Sequence, residues 1–227
     1  MATVAITGAA RGIGLEIARQ HVEAGDNVIA LARSASDQLN DLAAASNGKL
    51  TIHAMDVAED ASVKAAAAAS GSDPIDVLYN VAGVTGPSSE KELETADWQA
   101  WNDTFNVMVQ GPLRVLQAFL PRMDKGAKVI NITSQLGAST WPYGGFYAYA
   151  ASKAALNRLM RSVAIDLKDR GVIVGLVHPG WVQTDMGGAG ADITPAESAA
   201  GIRKVAADWT LETSGDFLKW NGEPHAW

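Results

Sequence analysis

The sequence predicts an α/β fold in which one doubly wound parallel sheet of about seven strands is flanked by helices. Short runs rich in Val, Ile and Leu alternate with longer helix-like stretches along all 227 residues. This alternation is typical of parallel strands joined by right-handed crossover helices. The runs are apolar at successive positions, as expected of strands that are buried on both faces. No repeat or linker interrupts the pattern, so residues 1–227 are expected to form a single domain.

Each predicted element corresponds to one of these runs or stretches. The strands are predicted at residues 3–7, 27–31, 50–54, 76–79, 128–132 and 172–177, with a seventh at 215–220. The helices are predicted at residues 12–24, 36–46, 59–70, 95–122 and 147–169. The third helix contains a run of alanines at 65–69, which favours a helix over a linker. Pro and Gly cluster at 179–195, which predicts a mobile loop beside the functional site.

The bulk composition excludes several classes of protein. Eighteen basic residues stand against 25 acidic ones, a net charge of −7, so no basic surface is expected to bind nucleic acid. There is no Cys, which excludes disulfides and thiolate metal sites, and the four His residues show no metal-ligand spacing. No apolar run has membrane-spanning length, and the first strand leaves no room for a leader peptide. We therefore expect a cytoplasmic protein that binds neither a membrane nor a metal.

A glycine-rich turn follows the first predicted strand and opens the first helix. Residues 7–14 read Thr-Gly-Ala-Ala-Arg-Gly-Ile-Gly. Glycines let the backbone turn tightly and approach a pyrophosphate, which then lies at the positive N-terminus of the helix. The spacing differs from the common G-x-G-x-x-G, and such a triplet is often only a structural turn, but its place between strand and helix favours a dinucleotide site. The predicted contacts in the turn are Gly8, Ala10, Arg11, Gly12, Ile13 and Gly14.

A tyrosine and a lysine four residues apart form the candidate proton-transfer pair. Of the neighbouring Tyr143, Tyr147 and Tyr149, only Tyr149 is followed four residues later by a lysine, Lys153. On a helix the two side chains project from the same face. An ammonium group favours the phenolate, so a tyrosine with an ordinary pKa of about 10 becomes a usable acid or base near neutral pH. The alternative is a plain surface pair, but its place downstream of a dinucleotide turn indicates proton transfer coupled to hydride transfer.

Five motifs in this order resemble those of the short-chain dehydrogenases/reductases, over essentially the whole chain. They are the glycine turn, Asn80-Val81-Ala82-Gly83, Ser134, Tyr149-x3-Lys153 and Pro179-Gly180. The segments 144–149 and 214–222 are similar to those of C-factor-like and carbonyl-reductase-like members. The resemblance implies a Rossmann-type fold and an oxidoreductase that transfers a hydride between a nicotinamide cofactor and a ketone, an aldehyde or a secondary alcohol.

The resemblance also implies roles for individual residues. Tyr149 would be the general acid or base, Lys153 would lower its pKa and bind the nicotinamide ribose, and Ser134 would orient the carbonyl. Asn106 matches the helix asparagine that holds a water in a proton relay to the lysine; the alternative is a polar residue that caps or kinks the helix. The implied cofactor contacts outside the glycine turn are Asp56, Val57, Asn80, Ala82, Gly83, Tyr149, Lys153, Pro179, Gly180, Val182 and Thr184.

The end of the second strand bears on the choice between the two nicotinamide cofactors. A carboxylate there would bind the adenosine ribose and repel a 2′-phosphate, but this chain has Ala32-Arg33-Ser34. Arg33, together with Arg11 of the glycine turn, offers guanidinium groups to a phosphate, unless both are ordinary surface arginines. We therefore expect NADP(H) to be preferred, with NAD(H) as the alternative.

Ser134 and Tyr149 are fifteen residues apart, slightly more than in typical relatives. The extra residues are expected to reshape the substrate pocket. There Trp141 and Trp181 would form an aromatic wall for a hydrophobic ketone, unless they are packing residues.

Two other functions stay open from the sequence. A sugar-nucleotide epimerase or dehydratase also uses Tyr-x3-Lys, but the residues after Thr184 are too few for its substrate domain. A non-catalytic dinucleotide sensor or signalling protein is the second, although such proteins commonly lose the Tyr, Lys or Ser that this chain retains. Relatives often pair through the long helices predicted at 95–122 and 147–169, which implies a homodimer or homotetramer.

Overall fold

The computed structural model describes residues 1–87 and 94–227. Within these residues the strands are β1 (Thr3–Thr7), β2 (Asn27–Ala32), β3 (Leu50–Ala54), β4 (Val77–Asn80), β5 (Lys128–Ile132), β6 (Ile173–His178) and β7 (Phe217–Lys219). They form one parallel sheet in the order β3-β2-β1-β4-β5-β6-β7. Every predicted strand is confirmed to within two residues, and so is the doubly wound arrangement.

Helices cover both faces of the sheet. They are α1 (Gly12–Glu23), α2 (Asp37–Ala45), α3 (Asp60–Ala69), α4 (Trp98–Phe105), α5 (Gly111–Phe119), α6 (Tyr147–Asp166) and α7 (Pro195–Asp208). Successive residues of a strand face opposite sides: Val4 and Ile6 of β1 pack with α1, α2 and α7, whereas Ala5 packs with α3, α5 and α6. Each face therefore has its own apolar core. In residues 1–87 and 94–227, no helix has both the length and the apolar character that crossing a membrane requires.

The single helix predicted at 95–122 is wrong in detail, because the structure divides it. Between α4 and α5 lies one wide π-helical turn, Asn106–Gln110, and a 3-10 turn, Leu120–Arg122, follows α5. The backbone N–H of Gly111 donates to the carbonyl of Asn106, five residues earlier. The next residue, Pro112, has no N–H with which to continue the regular α-helical ladder. This proline explains why the helix changes its winding here.

Helix α7 lies where the sequence analysis predicted no element, directly after the loop expected at 179–195. It begins with a capping box in which Thr194 and Glu197 each bond the other's backbone, and Pro195 occupies the first turn. Both features are recognised starts of a helix and are visible in the sequence. Ile202 and Val205 then bury the inner face of α7 in the sheet core. No element was predicted for residues 196–208, although these features and the alanines that follow Pro195 favour a helix.

Candidate active site

The candidate site lies at the carboxyl edge of the sheet, where the strand order reverses. From β1 the chain proceeds through β2 to β3 on one side, and from β4 to β7 on the other. The loops after β1 and β4 therefore leave the sheet in opposite directions and enclose a crevice. In open α/β sheets, ligands bind at such a point.

The glycine turn is held against the loop after β4. The Thr7 hydroxyl accepts hydrogen bonds from the backbone N–H groups of Val81 and Ala82, each at 3.0 Å. Gly8 has φ +68°, and a Cβ there would lie only 2.8 Å from the Cα of Ala82. The turn therefore requires glycine at position 8 for both its backbone conformation and its close approach to the neighbouring loop.

The N-terminus of α1 opens toward this crevice. Arg11 precedes the helix without a side-chain cap, and its first turn, which includes Ile13, contains no acidic residue. The first N–H groups of a helix have no partner within the helix, so this terminus is suited to an anionic group. A Cβ on Gly12 would lie 3.2 Å from Cγ2 of Thr184. The segment after β6 thus closes directly against the glycine turn.

The segment after β6 contains the other predicted cofactor contacts. Gly180 has φ +88°, and the Pro179 carbonyl accepts a hydrogen bond from Ser198 of α7 at 2.7 Å. Val182 pairs with Ile193 in an isolated bridge, and its carbonyl accepts from the Thr184 backbone at 2.8 Å. The structure therefore brings Pro179, Gly180, Val182 and Thr184 to one well-bonded turn.

Arg11 and Arg33 differ in their surroundings. Arg11 forms an ion pair with Asp185 at 2.8 Å, in which the two side chains are 72% and 78% exposed. This pair joins the glycine turn to the segment after β6 across the mouth of the crevice. Arg33 stands exposed at the end of β2. The nearby Ser36 caps α2 and donates to the carbonyl of Ala10 in the glycine turn.

Ser134 and Tyr149 meet beside the end of β5. Ser134 is buried, Tyr149 is half-buried, and a hydrogen bond joins the two side chains. Burial raises the pKa of the Tyr149 phenol, while the hydrogen bond with Ser134 acts in the opposite direction. Ser134 also accepts the backbone N–H of Leu136 at 3.2 Å, which fixes the turn after the strand. The two hydroxyls are therefore held in one place by the backbone around them.

Lys153 lies beneath this pair, one turn along α6. Its Nζ is 5.8 Å from the centre of the Tyr149 ring and donates to the carbonyl of Ile132 at 2.7 Å. Burial lowers the pKa of the Lys153 ammonium to about 7. Gly137 permits this packing, because a Cβ there would lie 2.8 Å from the backbone of Lys153. Ser134, Tyr149 and Lys153 thus form one cluster, in which Tyr149 and Lys153 share one face of α6.

The predicted adenine and ribose contacts lie around the crevice. The Asp56 carboxylate accepts the backbone N–H of Ala58 at 2.9 Å, directly before α3. Asn80 at the end of β4 is buried, and its Nδ2 donates to Oδ1 of Asn131 in β5 at 2.9 Å. Its own Oδ1 has no hydrogen-bond partner among residues 1–87 and 94–227. A Cβ on Gly83 would meet the sulfur of Met108 at 3.1 Å.

Asn106, for which the resemblance implied a relay role, forms its side-chain hydrogen bonds with residues outside the Tyr149 cluster. Its Nδ2 donates to the carbonyl of Ala58 at 3.2 Å, and its Oδ1 accepts from Arg114 at 3.0 Å. The side chain therefore bonds to the segment after β3. It lies at the start of the π-helical turn, which changes the face of the helix that each residue occupies.

The two tryptophans predicted to wall the pocket follow adjacent strands. Trp141 packs edge-on against Tyr143, with ring centres 5.3 Å apart. Trp181 is 49% exposed, and its indole N–H donates to the carbonyl of Gly187 at 2.8 Å. Because β5 and β6 are neighbours, both segments leave the same edge of the sheet, but no ring contact joins Trp141 to Trp181 within residues 1–87 and 94–227.

Comparison with known proteins decides the family. A profile described as short chain dehydrogenase matches residues 2–192. The chain belongs to the short-chain dehydrogenase family. It is 41% identical to the C-signal protein of Myxococcus xanthus over 157 residues, which are 68% of this chain and 93% of that protein. It is 36% identical to 1-hydroxy-2-glutathionyl-2-methyl-3-butene dehydrogenase of Rhodococcus sp. (strain AD45) over the full length of both chains.

Among solved structures, this short-chain dehydrogenase is similar to the NADPH-bound carbonyl reductase from chicken fatty liver. The TM-score is 0.89 and the identity is 33%, with 100% of this chain and 99% of the other covered. The comparisons confirm the predicted family, the Rossmann-type fold and an oxidoreductase. The sequence analysis missed Thr7, Asp185 and Arg114 as parts of this site. A hydroxyl at the end of the first strand was the available signal for Thr7, whereas the contacts of the other two depend on the folded chain.

Proposed function

We propose that this short-chain dehydrogenase is an NADP(H)-dependent carbonyl reductase or alcohol dehydrogenase. It would interconvert a ketone or aldehyde with the corresponding alcohol. The observation that carries the proposal is the hydrogen bond between Ser134 and Tyr149, with buried Lys153 directly beneath and the glycine turn across the crevice. Perturbed titratable groups that converge in a crevice favour a catalytic site over a structural one.

The crevice is proposed to hold the dinucleotide. Gly8 lets the glycine turn lie close against Ala82, and the uncapped first turn of α1 offers N–H groups to the pyrophosphate. The Asp56–Val57 segment would face the adenine. The unpartnered oxygen of buried Asn80 lies on the side proposed for the ribose. The segment Pro179–Thr184 would hold the nicotinamide end. When bound, the nicotinamide supplies or accepts the hydride.

The side chains of the site would supply and accept the proton of the reaction. In reduction, Ser134 donates a hydrogen bond that fixes the substrate oxygen, and Tyr149 transfers its phenolic proton to that oxygen. The phenolate that remains would recover a proton from solvent. Protonated Lys153 favours this phenolate through its positive charge, since its ammonium lies under the ring. In oxidation the same proton moves in the opposite direction.

The preference for NADP(H) over NAD(H) is proposed from Arg33. It is exposed at the end of β2, where no carboxylate would repel a 2′-phosphate. The NADPH bound to the chicken carbonyl reductase supports the same cofactor. Arg11 is shared with Asp185, so Arg33 is the main proposed phosphate ligand. Replacing Arg33 by Gln should raise the KM for NADPH about tenfold or more and leave the KM for NADH nearly unchanged.

The experiment that tests the function measures NADPH and NADH oxidation with a panel of ketones, aldehydes and diketones. Tyr149→Phe should lower kcat by about a hundredfold or more, because the acid is removed and the ring is kept. Tyr143→Phe is the matched control, since Tyr143 is an exposed tyrosine six residues earlier. Equal activity in both variants would refute the proposal. Tight NADPH binding without turnover in either direction would instead favour a non-catalytic signalling or sensor role, to which the similarity with the C-signal protein also points.

We also propose a homodimer or homotetramer in the cytoplasm. Trp98 of α4 and Ile165 of α6 are large apolar side chains that are 69% and 67% exposed, and they are the proposed contacts with a second subunit. Light scattering after size-exclusion chromatography should give at least twice the monomer mass. Trp98→Ala together with Ile165→Ala should lower it. Cell fractionation tests the location.

A further inference from the structure

We infer that Arg114, with Asn106 as its partner, is a positioning residue for the segment 56–58, which the proposed function places against the adenine. The inference rests on that proposed function. It concerns a residue to which the sequence analysis assigned no role, and it gives Asn106 a task different from proton relay.

The contacts join two helical residues to two successive carbonyls of one loop. The Arg114 guanidinium donates to the carbonyl of Val57 through Nη1 and to Oδ1 of Asn106 through Nη2, the latter at 3.0 Å. Nδ2 of Asn106 then donates to the carbonyl of Ala58 at 3.2 Å. The guanidinium and the carboxamide thus form one unit that fixes consecutive peptide groups.

The π-helical turn is what places the two residues together. They are eight positions apart, and in a regular α-helix eight residues leave two side chains about 80° apart around the axis. A π-helical turn adds one residue to the winding, so eight residues here span two turns and both side chains share a face. A feature that departs from regular helix geometry therefore has a direct consequence at the crevice.

The segment held in this way leaves the sheet directly after β3. Its remaining local bonds are short-range: the Asp56 N–H donates to Ser62 and the Asp56 carboxylate accepts from Ala58, both at 2.9 Å. The start of α5 presses on it as well, since a Cβ on Gly111 would lie 3.1 Å from Cγ2 of Val57. Among the hydrogen bonds of the described residues, only those of Arg114 and Asn106 join the carbonyls of the segment 56–58 to a helix of the opposite half of the sheet.

Loss of this unit should affect the adenosine half of the cofactor and spare the chemistry. Charge-assisted hydrogen bonds to carbonyls are stronger than neutral ones, so the guanidinium is the main contributor. A relay role for Asn106 would have the opposite signature, with a fall in kcat and an altered pH profile. The separation of KM from kcat therefore distinguishes the two roles.

The experiment uses the full chain and three variants: Arg114→Met, Asn106→Ala and, as the matched control, Arg122→Met. The Arg122 guanidinium also ties a loop to a helix, donating to the carbonyl of Asp73 at 2.9 Å and to Ser70 at 2.8 Å. That loop precedes β4 and lies at the opposite edge of the sheet. The measurements are the Kd of 2′,5′-ADP, which contains only the adenosine half, the KM for NADPH, and the pH profile of kcat.

We expect Arg114→Met to raise the Kd of 2′,5′-ADP and the KM for NADPH about tenfold, with Asn106→Ala severalfold, while the pH profile of kcat stays in place. Arg122→Met should leave all three quantities unchanged. The inference is overturned if Arg114→Met and Arg122→Met behave alike, or if Asn106→Ala lowers kcat and leaves 2′,5′-ADP binding intact. If Arg114→Met does not fold, Asn106→Ala, which keeps the guanidinium of Arg114, still tests the inference through the Kd of 2′,5′-ADP and the pH profile of kcat. A wild-type chain that binds neither NADPH nor 2′,5′-ADP would refute the proposed function itself, a result distinct from these.

Discussion

Replacing Lys153 by Met should make the free protein more stable at neutral pH, although it removes a proposed catalytic residue. The ammonium is buried beneath Tyr149 and has one hydrogen-bond acceptor, the carbonyl of Ile132, among the bonds of the described residues. Burial lowers the pKa of Lys153 from 10.5 to about 7. Methionine has a similar length and shape without the charge, so it removes the cost of burying the charge and keeps most of the packing.

The sign and the size of the effect follow from this pKa. Because the folded chain binds this proton less tightly than the unfolded one, stability rises with pH between about 7 and 10.5, and the full penalty applies below pH 7. At about 1.4 kcal/mol per pKa unit the penalty has an upper bound of roughly 5 kcal/mol. In the variant the carbonyl of Ile132 loses its donor, which lowers stability by about 1–3 kcal/mol. We therefore expect a net gain on the order of 2 kcal/mol at pH 7 and a net loss near pH 10.5.

The measurement is thermal unfolding without cofactor from pH 7 to 10.5. For a chain of this size, 1 kcal/mol shifts Tm by about 2–4 °C, so Lys153→Met should unfold several degrees above wild type at pH 7, and the order should reverse at the alkaline end. Lys64→Met is the control, since Lys64 is 72% exposed, and its difference from wild type should not follow the same curve. A Tm difference for Lys153→Met that is constant with pH would refute the reasoning.

Three further predictions concern backbone, cap and acid stability. Gly8→Ala should abolish measurable NADPH binding and lower the free energy of unfolding by about 2 kcal/mol or more, because it combines backbone strain at φ +68° with a steric clash. Gly25 has φ +84° and open space around it, so Gly25→Ala should show the effect of backbone strain alone in a denaturant titration. Thr194→Ala should cost about 1 kcal/mol of unfolding free energy by removing the cap of α7, and Thr194→Ser should restore most of it. Burial lowers the pKa of His178 to about 4, so the folded wild-type chain loses stability as the pH falls from 6.5 to 4. His178→Gln lacks this titration, and its loss in free energy of unfolding over that range should be smaller by up to about 3 kcal/mol. Parallel acid unfolding curves of the two proteins would contradict this.

The strands were predictable because each is a run of apolar residues with a short, fixed length. A strand buried on both faces must be apolar at successive positions, as in β6 (Ile173–His178). The position of the site followed from the same pattern, since the carboxyl ends of parallel strands lie at one edge. The pairing of Tyr149 with Lys153 was equally accessible, because one helical turn sets it.

The structure differs from the sequence-based prediction where contacts between distant residues, and not the local sequence, determine the local geometry. The helix changes its winding at Asn106–Gln110, just before Pro112, and a regular helical periodicity cannot show the added residue of a π-turn. The contacts of Asn106 could not be predicted for the same reason, since one residue of extra winding moves a side chain to another face. The ion pair of Arg11 with Asp185 joins residues 174 positions apart, so no local pattern contains it.

The strand order also determines how the molecule must assemble. β1 and β4 are neighbours inside the sheet, and every other strand pair joins strands that follow one another in the chain. β1 and β4 meet only across a long stretch of chain: Thr3 and Asp76, hydrogen-bonded at 2.8 Å, are 73 residues apart. Closing a loop of this length carries the entropic cost of a slow folding step. The bonds from Val81 and Ala82 to Thr7 form in that same closure. Joining the two halves of the sheet and forming the crevice are therefore the same folding step. A chain that has not completed this step has two partial sheets and no dinucleotide site.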